Sequence, residues 1–317
     1  MKLRPVIVYA VLALAAAALY FFDRSRRGAE GEAERQARLV FDTAVEDIDR
    51  LTIKRPGETI LIAKEACPGK KGCWRILEPV ATAADTAAVE RVAADLTGLM
   101  ALRTFKDEKE DLSAFGLDRP DLSILYETGS GFSSGITFGE MSPVREGYYA
   151  RRTGSREIML VPRDMREKLD KTLFDVRDRR LFHFDPREVV EADIDGPEVS
   201  WRFSRSGDQW RLRDDPDFIP DGRRVDTIVG RFIWAEAASF EGSDLFDAAA
   251  FGLDSPRYRV RLSDGRRAET LLVGNPVGGD EGRFYGCMLE GTEIFTVHDW
   301  VVAHLPAGKE ELRVDSD

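Results

Sequence analysis

Cysteine and histidine are scarce, three of each in 317 residues. Three cysteines are too few to staple a disulfide-built scaffold. The histidines, His183, His298 and His304, stand neither beside a cysteine nor in an H-E-x-x-H spacing, which removes the usual zinc and imidazole-base arrangements. Basic excess is lacking as well: 46 Lys and Arg face 57 Asp and Glu, a formal charge of -11, whereas a nucleic-acid partner needs a basic face for its phosphates. No P-loop or dinucleotide fingerprint occurs. The expectation is therefore no nucleic acid, no metal and no cofactor. What is present, 43% apolar and 9% aromatic residues, excludes disorder as the overall state and leaves room for about two domains.

One long hydrophobic run exists. After the basic start Met1-Lys2-Leu3-Arg4, residues 6–22 carry no charge, and as a helix they would reach about 25 Å, a little short of a bilayer core of about 30 Å. Tyr20, Phe21 and Phe22 fall where an interfacial aromatic belt sits, with Arg24, Arg26 and Arg27 beyond it. Residues 1–27 read as an N-terminal membrane anchor, a single transmembrane helix with basic flanks. The rival is a cleaved signal peptide with Ala16-Ala17-Ala18 as its site, against which Leu19 to Phe22 make a poor mature terminus. No cysteine directly follows the run, which excludes a lipoprotein. Flanking charges nearly balance, so orientation rests on the export-like N-region and on two cysteines close enough to bridge. The expected placement is a single-pass membrane protein with its bulk in the extracytoplasmic space; the resemblance given below implies that the membrane is a bacterial inner membrane and the space the periplasm. Five bases and one acid give the first 27 residues +4, which leaves -15 on the rest, a body that anionic headgroups would repel. Residues 28–43 read as a charged linker.

The chain contains itself twice. At an offset of 136 there are eighteen identities between Trp74 and Leu169 and their counterparts, where average composition gives about six. They include Trp74/Trp210, Asp85/Asp221, Val89/Val225, Tyr149/Tyr285 and the run Phe115-Gly116-Leu117-Asp118-x-Pro120 against Phe251-Gly252-Leu253-Asp254-x-Pro256. Upstream of Trp74 the offset becomes 141, which puts five extra residues in the first copy, most naturally in the turn from Cys67 to Cys73. The copies are taken as 44–180, ending in a bridging polar helix over 163–180, and 181–317.

Each copy opens with short β-type runs, then an Asp-capped helix (after Asp85 and after Asp221) with one apolar face, then the shared Phe-Gly-Leu-Asp turn, then four strands. The fold class expected is α+β: two tandem copies of a β-rich antiparallel-sheet unit with one core helix each, preceded by the transmembrane helix. Trp74, Phe115, Gly116, Pro120, Trp210, Phe251, Gly252 and Pro256 are its structural anchors, and the tryptophans read as core residues rather than sugar platforms.

Several of these features together resemble the domain of unknown function 4340 (DUF4340) family. They are the anchor, the hairpin ending in Gly72-Cys73-Trp74, the helix after Ala84-Asp85, the Phe-Gly-Leu-Asp-x-Pro turn, Phe138-Gly139, the strand Tyr148-Tyr149-Ala150-Arg151 and the run Asp178-Arg179-Arg180-Leu181. The resemblance implies a membrane-anchored bacterial protein often encoded beside ABC-type transporter and gliding-motility-type auxiliary components, with no established catalysis. The second copy departs at Phe284-Tyr285-Gly286-Cys287, so no role of Arg151 is duplicated, and the family supplies no active-site residues to carry over.

Candidate chemistry is thin. Gly131-Phe132-Ser133-Ser134-Gly135 matches a nucleophile elbow, but that motif needs a helix after the serine and Ile136 to Gly139 read as strand. Asp214, Asp215, Asp217 and Asp221 crowd together without EF-hand spacing, and Asp221 is better used as a helix cap. Cys67 and Cys73 flank a turn that can bring them within disulfide reach in an oxidising compartment; the alternative is two free thiols in an exposed loop. No catalytic residue is assigned. The function expected is a non-enzymatic, membrane-tethered extracytoplasmic accessory or scaffold protein with protein partners in an envelope or transporter complex. The alternatives are a module for an envelope glycan or peptide in a cleft between the repeats, and a serine hydrolase centred on Ser133.

Overall fold

Alternation of apolar and polar side chains sets the strands. In β1 (Ile48–Arg55) Leu51 and Ile53 are buried while Arg50 and Lys54 are exposed, and in β2 (Glu58–Cys67) Ile60 and Ile62 are buried. A computed structural model describes residues 36–67, 70–106, 111–242, 248–279, 282–291 and 293–313. The chain divides between Asp178 and Arg179 into two units.

The first unit continues with β3 (Lys70–Glu78), β4 (Thr82–Ala83), helix α1 (Thr86–Thr97), β5 (Arg103–Lys106), β6 (Leu122–Thr128), β7 (Ser133–Met141), β8 (Gly147–Arg152), β9 (Glu157–Pro162) and two short helices, α2 (Arg163–Leu169) and α3 (Leu173–Val176). Its strands form one antiparallel sheet in the order β4-β3-β2-β1-β6-β7-β8-β9-β5. The second unit has β10 (Glu191–Asp195), β11 (Ser200–Ser206), β12 (Gln209–Leu212), α4 (Gly222–Ile233), β13 (Ser239–Gly242), β14 (Tyr258–Ser263), β15 (Ala268–Pro276), β16 (Arg283–Met288) and β17 (Ile294–His298). Its order, β12-β11-β10-β14-β15-β16-β17-β13, repeats that of the first unit without a counterpart of β4.

Two expectations are corrected. The fold is mostly β, two antiparallel sheets with few helices, and not α+β: every strand after the helix joins the same sheet as the strands before it, so one helix per unit is a cover on a large sheet rather than a second layer of equal weight. The polar stretch over 163–180 is not one helix. It breaks after Leu169, and Thr172 restarts it through a capping box with Asp175. The run expected to be a transmembrane helix lies outside the described residues, and no helix among those described is long and apolar enough to cross a membrane. The end of the stretch read as a linker belongs to the core: Leu39 bridges to Met100, and Val40 and Phe41 are buried.

Shared residues explain the shared topology. The Asp85 carboxylate accepts the Ala88 amide at the start of α1 (3.1 Å), and that of Asp221 accepts the Arg223 amide at the start of α4 (2.9 Å). The backbone of each cap is also tied to the end of its unit, Asp85 N–H to the Val176 carbonyl (2.9 Å) and Asp221 N–H to the Leu312 carbonyl (2.7 Å). Val89, Val92, Ala93 and Leu96 bury one face of α1; Val225, Ile228, Val229, Phe232 and Ile233 bury one face of α4.

The Phe-Gly-Leu-Asp turn docks backbone to backbone. Gly116 (φ 67°) and Gly252 (φ 70°) take the left-handed conformation that spares them a side-chain clash. Beneath them lie Gly139 and Gly274, where a Cβ would stand 2.1 Å from the carbonyl oxygens of Phe115 and Phe251. The rings of Phe115 and Phe251 then meet Tyr149 and Tyr285 edge-on, at 5.0 and 4.7 Å. Pro120 and Pro256, both half-buried, stand two residues before β6 and β14.

Candidate functional site

The anchors shared by the copies do framework work. Trp74 and Trp210 are buried, each under a cation from the neighbouring strand, Lys64 at 5.1 Å and Arg205 at 5.5 Å from the ring centre. The Trp210 indole also donates to Asp226 (2.8 Å). Trp74 follows Lys64 by ten positions and Trp210 follows Arg205 by five, so the five extra residues fall between Lys64 of β2 and Trp74 of β3. There Cys67 and Cys73 form a disulfide, while Cys287 is a buried free thiol whose pKa burial pushes up. Asp215 pairs with Lys309, and Asp221 caps α4, so the acidic stretch over 214–221 does not converge. Among the described residues no group of three His, Cys, Asp or Glu could hold a metal ion.

Ser133 opens β7 and is followed by strand, so the strand–turn–helix geometry that presents a nucleophilic serine is not formed around it.

A groove of about 700 Å³ lies within the first unit. One wall is the entering segment, with Phe41, Asp42, Thr43, Glu46, Asp47 and Asp49; the other is the β6–β7 hairpin, with Tyr126, Phe132 and Ser134. A β-bulge shapes the first wall. The β1–β6 register slips between Ile48 and Arg50, leaving Asp49 unpaired, and its carboxylate lies over Gly129, where a Cβ would come within 2.7 Å. Lys64 approaches Asp49 at 3.5 Å and donates to the Glu46 carbonyl.

Tyr126 organises the second wall. Its hydroxyl pairs with that of Thr43 (2.8 Å), and its ring meets Phe41 edge-on at 5.4 Å and Phe132 at 6.2 Å. Directly across the strand pair, Ser134 is 7% exposed, whereas Phe132 is 55% exposed. Arg152 closes one end and donates to the Val40 carbonyl at 3.2 Å. No histidine, cysteine or lysine lines the groove, so beside Arg152 its chemistry is that of acceptors and aromatic faces rather than of a nucleophile with its base.

Of these lining residues, Phe132 and Ser134 stood out in the sequence only as part of the Gly131–Gly135 serine motif, and the others did not. One signal was available: where the frame of the copies matches on either side, the positions of Asp42 and Glu46 are occupied by His183 and Arg187 in the second copy.

The family model described as Domain of unknown function (DUF4340) matches residues 74–244 and again residues 210–316, so that together the matches run from 74 to 316. They begin at Trp74 and at Trp210, the equivalent residues of the two units. Comparison with curated proteins finds no match, and comparison with solved structures finds none.

Proposed function

The chain belongs to the DUF4340 family, and on that footing we propose a non-enzymatic accessory protein, tethered to a bacterial inner membrane by the apolar run at residues 6–22. Its two β units stand on the extracytoplasmic side and serve as a scaffold for protein partners in an envelope or transporter complex. The observation that carries this reading is the Cys67–Cys73 disulfide, since such bonds persist in oxidising compartments and are rare in the cytosol. The duplication supports the scaffold role: what the copies share is caps, turn glycines and packed aromatics, residues that hold a shape.

The test is protease accessibility with in-cell crosslinking. Expected are sedimentation with membranes, digestion of the body by protease added to intact spheroplasts, and a reproducible crosslinked partner. Protection of the body until lysis refutes the placement; a chain that crosslinks to nothing refutes the scaffold role.

A further inference from the structure

The two units differ sharply at one corner, and the second shows what the first lacks. Registers align them residue by residue. Glu127 pairs with Ser133 across β6–β7 as Ser263 pairs with Ala268 across β14–β15, so Phe132 corresponds to Arg267 and Ser134 to Glu269. The bridges Leu39 to Met100 and Arg180 to Glu236 align the entering segments, so Phe41 corresponds to Phe182 and Asp42 to His183.

In the second unit this corner is occupied by the chain's own guanidinium. Arg267 lies over the Phe184 ring at 4.6 Å, pairs with Glu269 at 3.3 Å and Asp264 at 3.7 Å, and donates to the His183 carbonyl. Glu269 in turn accepts the His183 amide at 2.9 Å.

The first unit does not repeat these partners, since Thr43, Thr128 and Ser134 stand where Phe184, Asp264 and Glu269 do; its groove has aromatic and acidic residues of its own, and the cation that lines it is Arg152. Phe132 replaces the arginine. Ser134, more than nine-tenths buried and facing the groove beside Tyr126, has a hydroxyl with no hydrogen-bond partner among the described residues. The carboxylates of Asp42, Glu46 and Asp47 have no ion pair among those residues either. Arg152 is engaged with the Val40 carbonyl and Lys64 with Asp49.

We propose that the groove of the first unit binds a guanidinium group brought by another molecule, the side chain of an arginine in a peptide segment. A guanidinium is planar and weakly hydrated, stacks on aromatic rings and gives a carboxylate two parallel hydrogen bonds, which suits Phe41, Tyr126 and Phe132 beside Asp42, Glu46 and Asp47. A calcium ion fits less well, since it needs six to eight converging oxygens and no three acids here converge. The groove's volume of about 700 Å³ takes an arginine with its neighbouring residues. The site does not depend on where the protein is located.

The experiment titrates the purified full chain with an acetylated, amidated Gly-Arg-Gly peptide and with its citrulline counterpart, which keeps the shape and loses the charge, by calorimetry. The arginine peptide is expected to bind at least tenfold more tightly. N-acetylarginine amide gives the size of the ligand: affinity equal to the peptide's marks a small-molecule source and weaker binding marks a peptide, and either supports the site. Phe132→Arg with Ser134→Glu, which imports the arginine of the second unit and its glutamate partner, abolishes binding in a chain that stays folded. Asp42→Asn with Glu46→Gln and Asp47→Asn, all exposed positions, brings the arginine peptide down to the level of citrulline. Equal binding of the two peptides, no binding of either, or undiminished binding by the triple variant overturns the proposal.

Discussion

Replacing Gly139 by alanine separates lack of room from backbone strain as the reason for a glycine. Gly139 has a φ outside the left-handed region, yet its Cβ would lie 2.1 Å from the Phe115 carbonyl oxygen, 3.0 Å from the Gly116 carbonyl carbon and 3.1 Å from Leu117 Cγ. A carbon and a carbonyl oxygen settle at about 3.3 Å or more, so one backbone must move by more than about 1 Å. No side-chain rotation relieves this, because the first obstacle is main chain. Lifting the turn exposes Leu117, now 5% exposed, and parts Phe115 from Tyr149. Overpacking of about 1–3 kcal/mol and loss of a buried leucine worth about 1.5–3 kcal/mol overlap, giving a cost of about 3–5 kcal/mol. Gly154 is the control: its φ is 75° and nothing lies within 4 Å of a Cβ there, so alanine meets only left-handed strain of about 1 kcal/mol. Urea denaturation followed by hydrogen exchange reads each unit separately, which a single transition does not. Gly139→Ala should lower protection in β6 and β7, and Gly274→Ala in β14 and β15. The reasoning fails if Gly154→Ala costs as much as Gly139→Ala, or if Gly139→Ala loosens β14 and β15 instead.

Asp85→Ala and Asp221→Ala each remove a side-chain cap and should cost about 1 kcal/mol, with Asn retaining most of it; local exchange at the first turns of α1 and α4 checks this. Cys67→Ser opens a bridge with a sequence separation of 6, for which loop-closure entropy gives about 2 kcal/mol, seen as a lower urea midpoint that matches the wild-type chain under reducing conditions. The Asp264 carboxyl is held below its ordinary value by the amides of Arg267 and Arg266. With a depressed folded pKa, the stability it lends is present above the unfolded value near 3.9 and is lost as pH falls through the folded value. Exchange at those two amides should therefore accelerate below about pH 4, and the pH dependence should flatten in Asp264→Asn.

Local signals in the sequence reached the local structure. Strand alternation, the caps at Asp85 and Asp221 and the glycine turns are each decided within a few residues, and comparing the copies found them twice. Properties set by distant partners were out of reach. Leu39 to Phe41 follow a charged stretch and read as spacer, yet they are buried because Leu39 bridges to Met100 and the Val40 amide reaches the Leu99 carbonyl (2.9 Å). The α+β expectation failed for the same reason: strand count was legible, but that all strands of a unit join one sheet depends on β5 returning to β9 across the intervening β6–β8. The groove joins residues 41–49 to residues 126–134, so neither stretch alone announces it.

The difference between the two corners shows why the change had to come as a set. The β6–β7 hairpin spans six steps from Glu127 to Ser133, and its counterpart five from Ser263 to Ala268, so the first unit carries one extra residue in the loop. A one-residue slip inside the strands would turn every following side chain to the other face. The extra residue is absorbed in the loop instead, since Gly139 and Gly274 still seat the same turn at a bulge in both units. Loss of the arginine alone would leave the carboxylate equivalent to Glu269, whose side chain is 21% exposed, without its cation, and a partly buried charge stripped of its partner is costly. The first unit has serine at that position. A neutral hydroxyl tolerates an empty corner and still offers an acceptor when a cation arrives, so Ser134 suits the corner that Phe132 leaves without a guanidinium.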